Sequence, residues 1–181
     1  MNPATTVTPL EADALAAAVE DLADLLVATV HGGASIGFLA PLERAEAVAW
    51  WHERSAAVAA GRLAVWAAHH EGRLIGTVSL AFPDKSNSRH RAELVKLMVH
   101  PDGRGRGLGR VLLARAEEAA AASGVTLLHL DTETDSSAER LYRAAGWTRA
   151  GVVPDYAANP AGELKPTTIY YKRIGPAARA G

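Results

Sequence analysis

The sequence predicts an α+β fold in which helices pack on a mixed, mostly antiparallel sheet. Two helical segments come first, with one more strand before them as an alternative. Three strands follow with no helix between them, and a helix, a strand, a helix and two strands complete the order. Successive strands with short connections pair antiparallel, whereas parallel neighbours need a long crossover. With 49% hydrophobic and 22% charged residues, the 181-residue chain has the composition of one globular domain. We expect one domain over 1–181, with disordered ends at 1–6 and 176–181.

The first part of the chain is predicted to be helical. The segment Glu11–Val30 carries alanines, leucines and acids at helical spacing and contains neither Gly nor Pro, which indicates one helix. Three glycines within His31–Gly37 then form a loop. The segment Leu42–Ala60 is a second alanine-rich helix, and Gly61 after it is suited to a helix C-cap.

The middle of the chain alternates polar and apolar residues, the pattern of half-buried strands. Arg62–His70 and Leu74–Phe82 flank a Glu-Gly-Arg turn and are predicted to form a hairpin. After a polar loop, Arg91–Val99 is a third strand. One face of this strand is predicted to carry Glu93, Val95, Leu97 and Val99.

The last part is predicted to alternate helices and strands. Glycines at 124 and 146 mark the ends of two helices, and the run between them is too apolar for an edge strand. In chain order, the predicted elements are a helix at 107–123, a central strand at 125–130, a helix at 137–145, and strands at 147–153 and 169–174.

Charge and composition exclude several classes of function. The formal net charge of −1, without a long basic stripe, argues against a nucleic-acid-binding protein. The absence of cysteine removes disulfides, thiolate zinc sites and cysteine nucleophiles. The histidines show no i, i+4 ligand spacing, so we expect no metal. Because no apolar run could span a membrane and no signal-peptide pattern is present, we expect a cytoplasmic protein that binds no membrane.

One segment carries a cluster of glycines and arginines: Arg104-Gly105-Arg106-Gly107-Leu108-Gly109-Arg110. Glycines let backbone amides converge, and unpaired amides at a helix N-terminus attract phosphate. The segment lacks the Lys of a P-loop, and it follows an antiparallel run, unlike a dinucleotide-binding glycine motif. It predicts a phosphate site for a small polyanion, and a solvated basic helix cap is the alternative.

This segment resembles the pyrophosphate loop of the GNAT superfamily of acetyltransferases. The preceding residues 93–101 resemble the central strand of that family, and residues 138–147 resemble its second signature, a helix with a Leu-Tyr pair that ends at Gly before an aromatic residue. The resemblance implies an αβα sandwich with a sheet splayed at the cofactor site. It also implies an N- or O-acetyltransferase that uses acetyl-CoA.

A closer likeness, spanning residues 28 to about 173, is to the tabtoxin resistance subfamily, whose members acetylate a β-lactam toxin. The similar segments are 28–38, 128–133, 154–156 and 167–170. This likeness implies an enzyme of antibiotic or toxin resistance.

The resemblance also implies the contacts of the cofactor. Backbone groups of Leu97, Met98 and Val99 would pair with the pantetheine arm, with the Met98 amide as oxyanion contact. The residues from Arg104 to Arg110 would hold the pyrophosphate. Asp135 and Ser137 would contact the cofactor at the next helix, although Asp135 stands where the family usually has Asn.

Three side chains are candidates for the chemistry. Glu93 matches the catalytic carboxylate of several family members and is a candidate general base, and a surface Glu paired with Arg91 or Lys96 is the alternative. Asp131, after the apolar strand, is a second candidate base or a capping residue. Tyr142, from the Leu-Tyr pair, is the candidate acid for the CoA thiolate or a buried core residue.

The resemblance places the acceptor on the first helices, their connecting loop and the last strands. We therefore expect His31, Ser35, Phe38 and Tyr156 to bind it. One residue of the Trp50-Trp51 pair should be core. The expected partner is a small polar acceptor, such as an amino-acid-like or β-lactam toxin, and the expected state is a monomer or homodimer. A non-catalytic acyl-CoA-binding regulatory module is the alternative.

Overall fold

The computed structural model describes residues 5–175, which form one sheet with helices on both faces. The strands are β1 (Thr6–Pro9), β2 (Leu63–His70), β3 (Arg73–Ala81), β4 (Arg91–Val99), β5 (Leu127–Glu133), β6 (Thr148–Ala158) and β7 (Leu164–Arg173). The helices are α1 (Ala12–Ala17), α2 (Val19–His31), α3 (Arg44–His52), α4 (Ser55–Ala59), α5 (Leu108–Ala122) and α6 (Ser137–Ala144). Two short 3-10 turns are Ser86–Ser88 and Pro101–Gly103.

The sheet is mixed and mostly antiparallel, as predicted. Its strands lie in the order β1-β2-β3-β4-β5-β7-β6, and β4 with β5 is the parallel pair among otherwise antiparallel neighbours. A parallel pair requires a crossover, and α5 supplies it. The helices α1 to α4 cover one face and α5 with α6 the other, which confirms the αβα sandwich.

The sheet opens in its middle. The strands β4 and β5 pair only near their starts, at Arg91–Leu127, Ala92–Leu128 and Glu93–His129. Beyond that point β4 continues to Val99 and β5 to Glu133 without a ladder between them. The predicted splay is therefore confirmed, and it leaves a gap at the carboxyl ends of both strands.

Two hydrophobic clusters fill the space between the layers. One lies under α5, whose buried Leu108, Leu112, Leu113, Ala116 and Ala120 form a stripe at helical spacing. The other lies under α1 to α4. Strand β2 contributes to both clusters by alternation, because Trp66 faces the first and Val65 the second.

Several element bounds differ from the predictions. The first predicted helix is two helices, because Ala18 has φ −95° and ψ 1° between α1 and α2. The second is also two, interrupted at residues 53–54. Strands β5, β6 and β7 extend beyond the predicted ranges, and the segment 156–167, between the last two predicted strands, lies largely in β6 and β7.

The predicted disorder at the chain ends is tested only in part. Residues 1–4 and 176–181 lie outside the described part of the chain. At Thr6 the prediction is wrong, since this residue begins β1 and pairs with His69 of β2.

Candidate active site

A cleft of about 650 Å³ lies where β4 and β5 diverge. The end of β4 and the glycine-arginine loop form one wall, and the end of β5 with the start of α6 forms the opposite one. The C-terminal end of α2 and residues 32–36 border a third side. The cleft thus lies at the carboxyl ends of two neighbouring strands and at the N-termini of two helices.

The glycine-arginine loop carries unpaired backbone amides at the cleft. Helix α5 begins at Leu108, and its N-cap Gly107 has no side chain that could accept hydrogen bonds from the first turn. The amides of residues 105–109 donate to no acceptor within the described chain. Gly105 and Gly107 both have φ of 75°, a conformation that penalises a Cβ. Free amides at a helix N-terminus form an anion site.

The three arginines of this loop differ in position. Arg104 and Arg110 line the cleft. A Cβ added at Gly32 would lie 3.6 Å from Nη2 of Arg104, which places this guanidinium against the end of α2. Arg106 lies outside the cleft, with Nη1 3.5 Å from Nε2 of His70. The structure therefore brings two of the three predicted cationic side chains to the anion site.

The final residue pairs of the β3–β4 ladder show which backbone groups of β4 point towards the cleft. Gly76 pairs with Val99, and the amide of His100 donates to the carbonyl of Ile75 at 2.8 Å. In an antiparallel ladder the hydrogen-bonding direction alternates from residue to residue. The amide and carbonyl of Met98 therefore point towards β3, and those of Val99 point towards the gap. Leu97, just before Met98, pairs with no residue of β3.

A β-bulge changes the orientation of side chains along β4. The register with β3 shifts by one residue between Val95 and Met98, and Lys96, inside this bulge, has φ of 52°. Before the bulge Leu94 packs in the cluster under α5, and after it Met98 packs in the cluster under α1 to α4. The predicted common face for alternate residues from Glu93 to Val99 is therefore wrong, since the bulge interrupts the alternation.

Helix α6 is fixed at the cleft by its N-terminal hydrogen bonds. The hydroxyl of Ser136 accepts from the Glu139 amide at 3.1 Å, and the Glu139 carboxylate accepts from the Asp135 amide and the Tyr170 hydroxyl. Burial opposes ionisation of Glu139, but these hydrogen bonds outweigh it and lower its pKa. Ser137 lines the cleft, whereas Asp135 is exposed and does not.

The two candidate carboxylates lie near the base of the gap, on opposite strands. Glu93 is half-buried and paired in register with His129, and Asp131 is exposed further along β5. Burial lowers the pKa of both His129 and Lys96, and both carboxylates act against this lowering. Within the described chain Glu93 forms no ion pair with Arg91 or Lys96, the partners of its alternative interpretation.

Tyr142 lies on α6 against the cluster under α5. It is 6% exposed, and its ring centroid is 5.8 Å from that of Trp147. Burial and then the nearby Asp131 carboxylate raise the pKa of its hydroxyl well above the usual range. The ring of Tyr142 is therefore part of the core, and the Asp131 carboxylate acts on its hydroxyl.

The four predicted acceptor residues occupy different places. Ser35 lines the cleft. His31 is exposed, and its Nε2 accepts a hydrogen bond from the Leu42 amide at 3.2 Å, across the base of the intervening loop. Phe38 packs edge-on against Trp50 at 5.5 Å between centroids. Tyr156 is 53% exposed on the edge strand β6, outside the cleft.

Sequence reasoning missed Lys96 and Arg54 as neighbours of this region. The Lys96 ammonium lies 5.3 Å from the Trp50 ring centroid, and the Arg54 guanidinium lies 3.9 Å from it. The pair Trp50-Trp51 divides as predicted, because Trp51 is fully buried and donates to the carbonyl of Leu22. No sequence signal marks Lys96, since its role depends on a bulge that has no glycine.

Two observations limit other kinds of site. Within residues 5–175 no three metal-ligating side chains are grouped as a candidate metal centre. The helices in the same range include none that is both long enough and apolar enough to cross a bilayer.

Comparison with known families gives one match that spans most of the site. The model of the Acetyltransferase (GNAT) family matches residues 20–147, more than half of the chain. Mycothiol acetyltransferase from Beutenbergia cavernae is 34% identical over 95 residues, an overlap that covers 51% of this chain and 31% of that protein. This chain therefore matches about a third of the length of that relative.

Comparison with solved structures shows the same fold over nearly the whole chain. A Salmonella typhimurium protein described as an acetyltransferase, with its cofactor acetyl-CoA, has a TM-score of 0.77 at 22% identity and covers 98% of this chain and 97% of its own. A ribosomal-protein-alanine N-acetyltransferase from Brucella melitensis has a TM-score of 0.76 at 22% identity. The match covers 93% of this chain and 99% of that protein.

Proposed function

We propose a specific reaction for this chain, which belongs to the acetyltransferase (GNAT) family: direct transfer of an acetyl group from acetyl-CoA to an amine or hydroxyl of a small polar acceptor. The observation that carries the proposal is the union, in one cleft, of free helix N-terminal amides, two arginines and an open strand edge. The free amides suit a phosphate, and the two arginines suit its negative charge. The open strand edge suits the extended pantetheine arm, which carries amides.

The cleft fits the cofactor of the family. The amides of residues 105–109 and the side chains of Arg104 and Arg110 would hold the pyrophosphate, because both kinds of donor favour anions. The open edge of β4 would accept the pantetheine amides in the manner of an added strand. When bound, acetyl-CoA supplies an activated acetyl thioester.

The register of β4 supports a change in one expected contact. The amide of Met98 points towards β3, so it is not free to stabilise negative charge in the cleft. Leu97 lines the cleft, and it has no ladder partner in β3 that would occupy its amide. We assign the oxyanion contact to Leu97, with Val99 as the next strand-like contact.

A general base is needed because an amine acceptor arrives protonated and a hydroxyl is a weak nucleophile. Glu93 and Asp131 lie on the two strands that border the gap, and both oppose the lowering of the pKa of His129 and Lys96, so they are close enough to influence one site. We assign the proton abstraction to Glu93, which is the less exposed of the two, and a supporting role to Asp131.

A general acid is needed for the leaving thiolate, and Tyr142 suits this role. Its raised pKa keeps the hydroxyl protonated at neutral and moderately alkaline pH. Asp131 lies close enough to this hydroxyl to raise its pKa, and Leu141, the neighbouring residue of α6, lines the cleft.

The acceptor would approach from the side bordered by residues 32–38 and Trp50. Ser35 and Phe38 offer a hydroxyl and an aromatic edge there. A polar molecule with an amino group, such as an amino-acid-like toxin, fits this mixed wall, and detoxification is the biological role that we propose. We further propose a single cytoplasmic domain that acts as a monomer or homodimer.

One observation favours a second candidate function. Glu93, Asp131 and Tyr142 lie near the cleft but are not among the residues that line it. A non-catalytic acyl-CoA-binding regulatory module would also keep the phosphate loop and the open strand edge while having no use for these three side chains.

The experiment is an acceptor screen with acetyl-CoA, in which thiol release and acetylated product are both measured. The acceptors are the free amino acids, alanine-terminated peptides, an aminoglycoside and a hydroxylated β-lactam. The chain has no cysteine, so thiol that appears in the assay does not come from the protein. An acetylated product with any acceptor supports the enzyme. Binding of acetyl-CoA without turnover across the whole panel would support the regulatory module instead.

A further inference from the structure

Residues 32–42 form a loop between α2 and α3, and three hydrogen bonds fix it at separate points. The Leu42 amide donates to Nε2 of His31, which closes the base of the loop. The Ala40 amide donates to the carbonyl of Pro160, in the β6–β7 connection, at 2.8 Å. Between these two points, the carbonyl of Ile36 accepts from Nζ of Lys96 at 2.7 Å.

The third of these contacts is the one that joins the loop to β4. The ammonium of Lys96 lies 5.5 Å from the centroid of Phe38 and 5.3 Å from that of Trp50, and these rings meet edge to face. Cation–π attraction of this kind adds to a charged hydrogen bond. A Cβ at Gly37 would lie 3.5 Å from the same Nζ, so the loop backbone lies close to the ammonium.

The backbone of Lys96 has an unusual conformation. Its φ of 52° lies in the left-handed region, where a residue other than Gly, Asn or Asp is uncommon. A non-glycine residue persists in this conformation when the surrounding structure determines it, and such positions cluster at functional sites. Here the bulge directs a long cationic side chain from the cofactor-facing strand to the loop.

We propose that Lys96 is a positioning residue, which holds the 32–42 loop against β4 and thereby sets the acceptor wall relative to the acetyl donor. This inference rests on the proposed function because it assumes that the 32–42 loop is part of the acceptor site. Lys96 makes no bond to a reacting atom, so its removal should change acceptor binding more than the chemical step.

The surroundings of Lys96 make its positioning effect sensitive to pH. Burial and then the nearby Arg54 guanidinium lower its pKa, while Asp131 and Glu93 oppose this lowering. A neutral Lys96 would keep a hydrogen-bond donor but lose the cation that attracts Phe38 and Trp50. The loop should therefore loosen as the pH rises towards the alkaline range, and it should do so below the ordinary pKa of lysine.

The first test measures hydrogen exchange of the substrate-free protein. The amides of Ala40 and Leu42 are protected by hydrogen bonds, so they report on the loop. Lys96→Met should increase their exchange rates about tenfold, the effect of losing one charged hydrogen bond, and should leave Gly103 unchanged. Lys96→Arg, which retains a cation, should restore most of the protection. The matched control is Lys85→Met, at an exposed lysine outside this region.

The second test is kinetic and uses the acceptor of the screen with the highest turnover. Lys96→Met should raise KM for that acceptor about tenfold and leave KM for acetyl-CoA within twofold. In the wild type the acceptor KM should rise at alkaline pH, and in Lys96→Arg this rise should disappear.

The two tests separate the possible failures. Unchanged exchange of Ala40 and Leu42 in Lys96→Met overturns the positioning role, whatever the screen shows. Faster exchange together with an unchanged acceptor KM overturns the link to the acceptor site but leaves the acetyltransferase intact. If no acceptor is acetylated, the proposed function fails, and exchange alone then decides whether Lys96 holds the loop.

Discussion

Glu93 and His129 form the last residue pair that joins β4 to β5. Immediately beyond this pair the two strands separate, and the gap between them becomes the cleft. The backbone of Glu93 is held by pairing with Ala81 of β3 and His129 of β5, at the point where the opening begins. The position of Glu93 therefore follows from where the sheet ends its parallel pairing.

The first prediction concerns the general base. Glu93→Gln should lower kcat by about 10²-fold or more, within the range for loss of a general base, because the amide cannot accept the acceptor's proton. Acetyl-CoA binding, measured by calorimetry, should stay unchanged. Asp131→Asn should have a smaller effect on kcat. The matched control is Glu46→Gln on the exposed side of α3. If Glu93→Gln and Asp131→Asn were as active as this control, a carboxylate base at the gap would be excluded.

The second prediction concerns the general acid. Tyr142→Phe should reduce kcat by about 10²-fold, since the phenyl ring keeps the packing against Trp147 but has no proton for the leaving thiolate. The activity of the wild type should show no alkaline decline from Tyr142 below about pH 10, because its pKa is raised. A Tyr142→Phe variant with full turnover would instead assign this residue to the core alone.

The third prediction uses the same tyrosine to test stability against pH. A hydroxyl whose pKa is raised on folding stabilises the native state below the unfolded pKa, and this contribution is lost as the pH rises towards the folded pKa. The free energy of unfolding should fall above pH ~10 by up to about 1.4 kcal/mol per pH unit for each such group. Tyr170, whose pKa is raised by burial and by Glu139, adds to the same decline. Tyr142→Phe should make the decline shallower in urea titrations, and an identical slope would contradict the raised pKa.

The fourth prediction separates the three arginines of the phosphate loop. Arg104→Ala and Arg110→Ala should each weaken acetyl-CoA binding about tenfold or more, the effect of losing a charged hydrogen bond. Arg106→Ala serves as the control within the same loop, because its side chain lies near His70, outside the cleft. Higher salt should weaken binding by the wild type more than binding by the first two variants. Equal losses in all three variants would mean that the loop acts only through its net charge.

The fifth prediction concerns the backbone of the same loop. Gly107→Ala should destabilise the fold by roughly 1 kcal/mol because of its positive φ, and it should also weaken acetyl-CoA binding. Gly61→Ala is the matched control, since Gly61 also has a positive φ with open space around it but lies far along the chain from the cleft. Both variants should lower the melting temperature, and only the first should raise the Kd of the cofactor.

The phosphate loop could be predicted from the sequence because its information is local. Glycines at a strand-to-helix junction determine where amides are free, and no distant residue is needed to explain Gly107 as an N-cap. The same holds for the end of α6, where Gly146 has φ of 80°. Features of this kind depend on single residues and their immediate neighbours.

The bulge at Lys96 could not be predicted, because its cause is not local. A lysine gives no sign of a left-handed conformation, which here depends on how β3 and β4 align and on the loop that accepts the Lys96 hydrogen bond. The β6 strand was underestimated for a similar reason. Its residues are nearly all exposed, so the alternation that marks a half-buried strand is missing, and pairing with β7 alone holds it extended.

The bulge gives β4 one residue more than the facing part of β3. Loss of either residue between Val95 and Met98 would remove the bulge and restore simple alternation, and Met98 would keep its place in the cluster under α1 to α4. Loss of a residue elsewhere in β4, with the bulge retained, would instead move every side chain on one side of the deletion to the other layer. One-residue deletions in β4 should therefore be tolerated best at the bulge, so a library of deletion variants should locate the bulge as sharply as substitutions do.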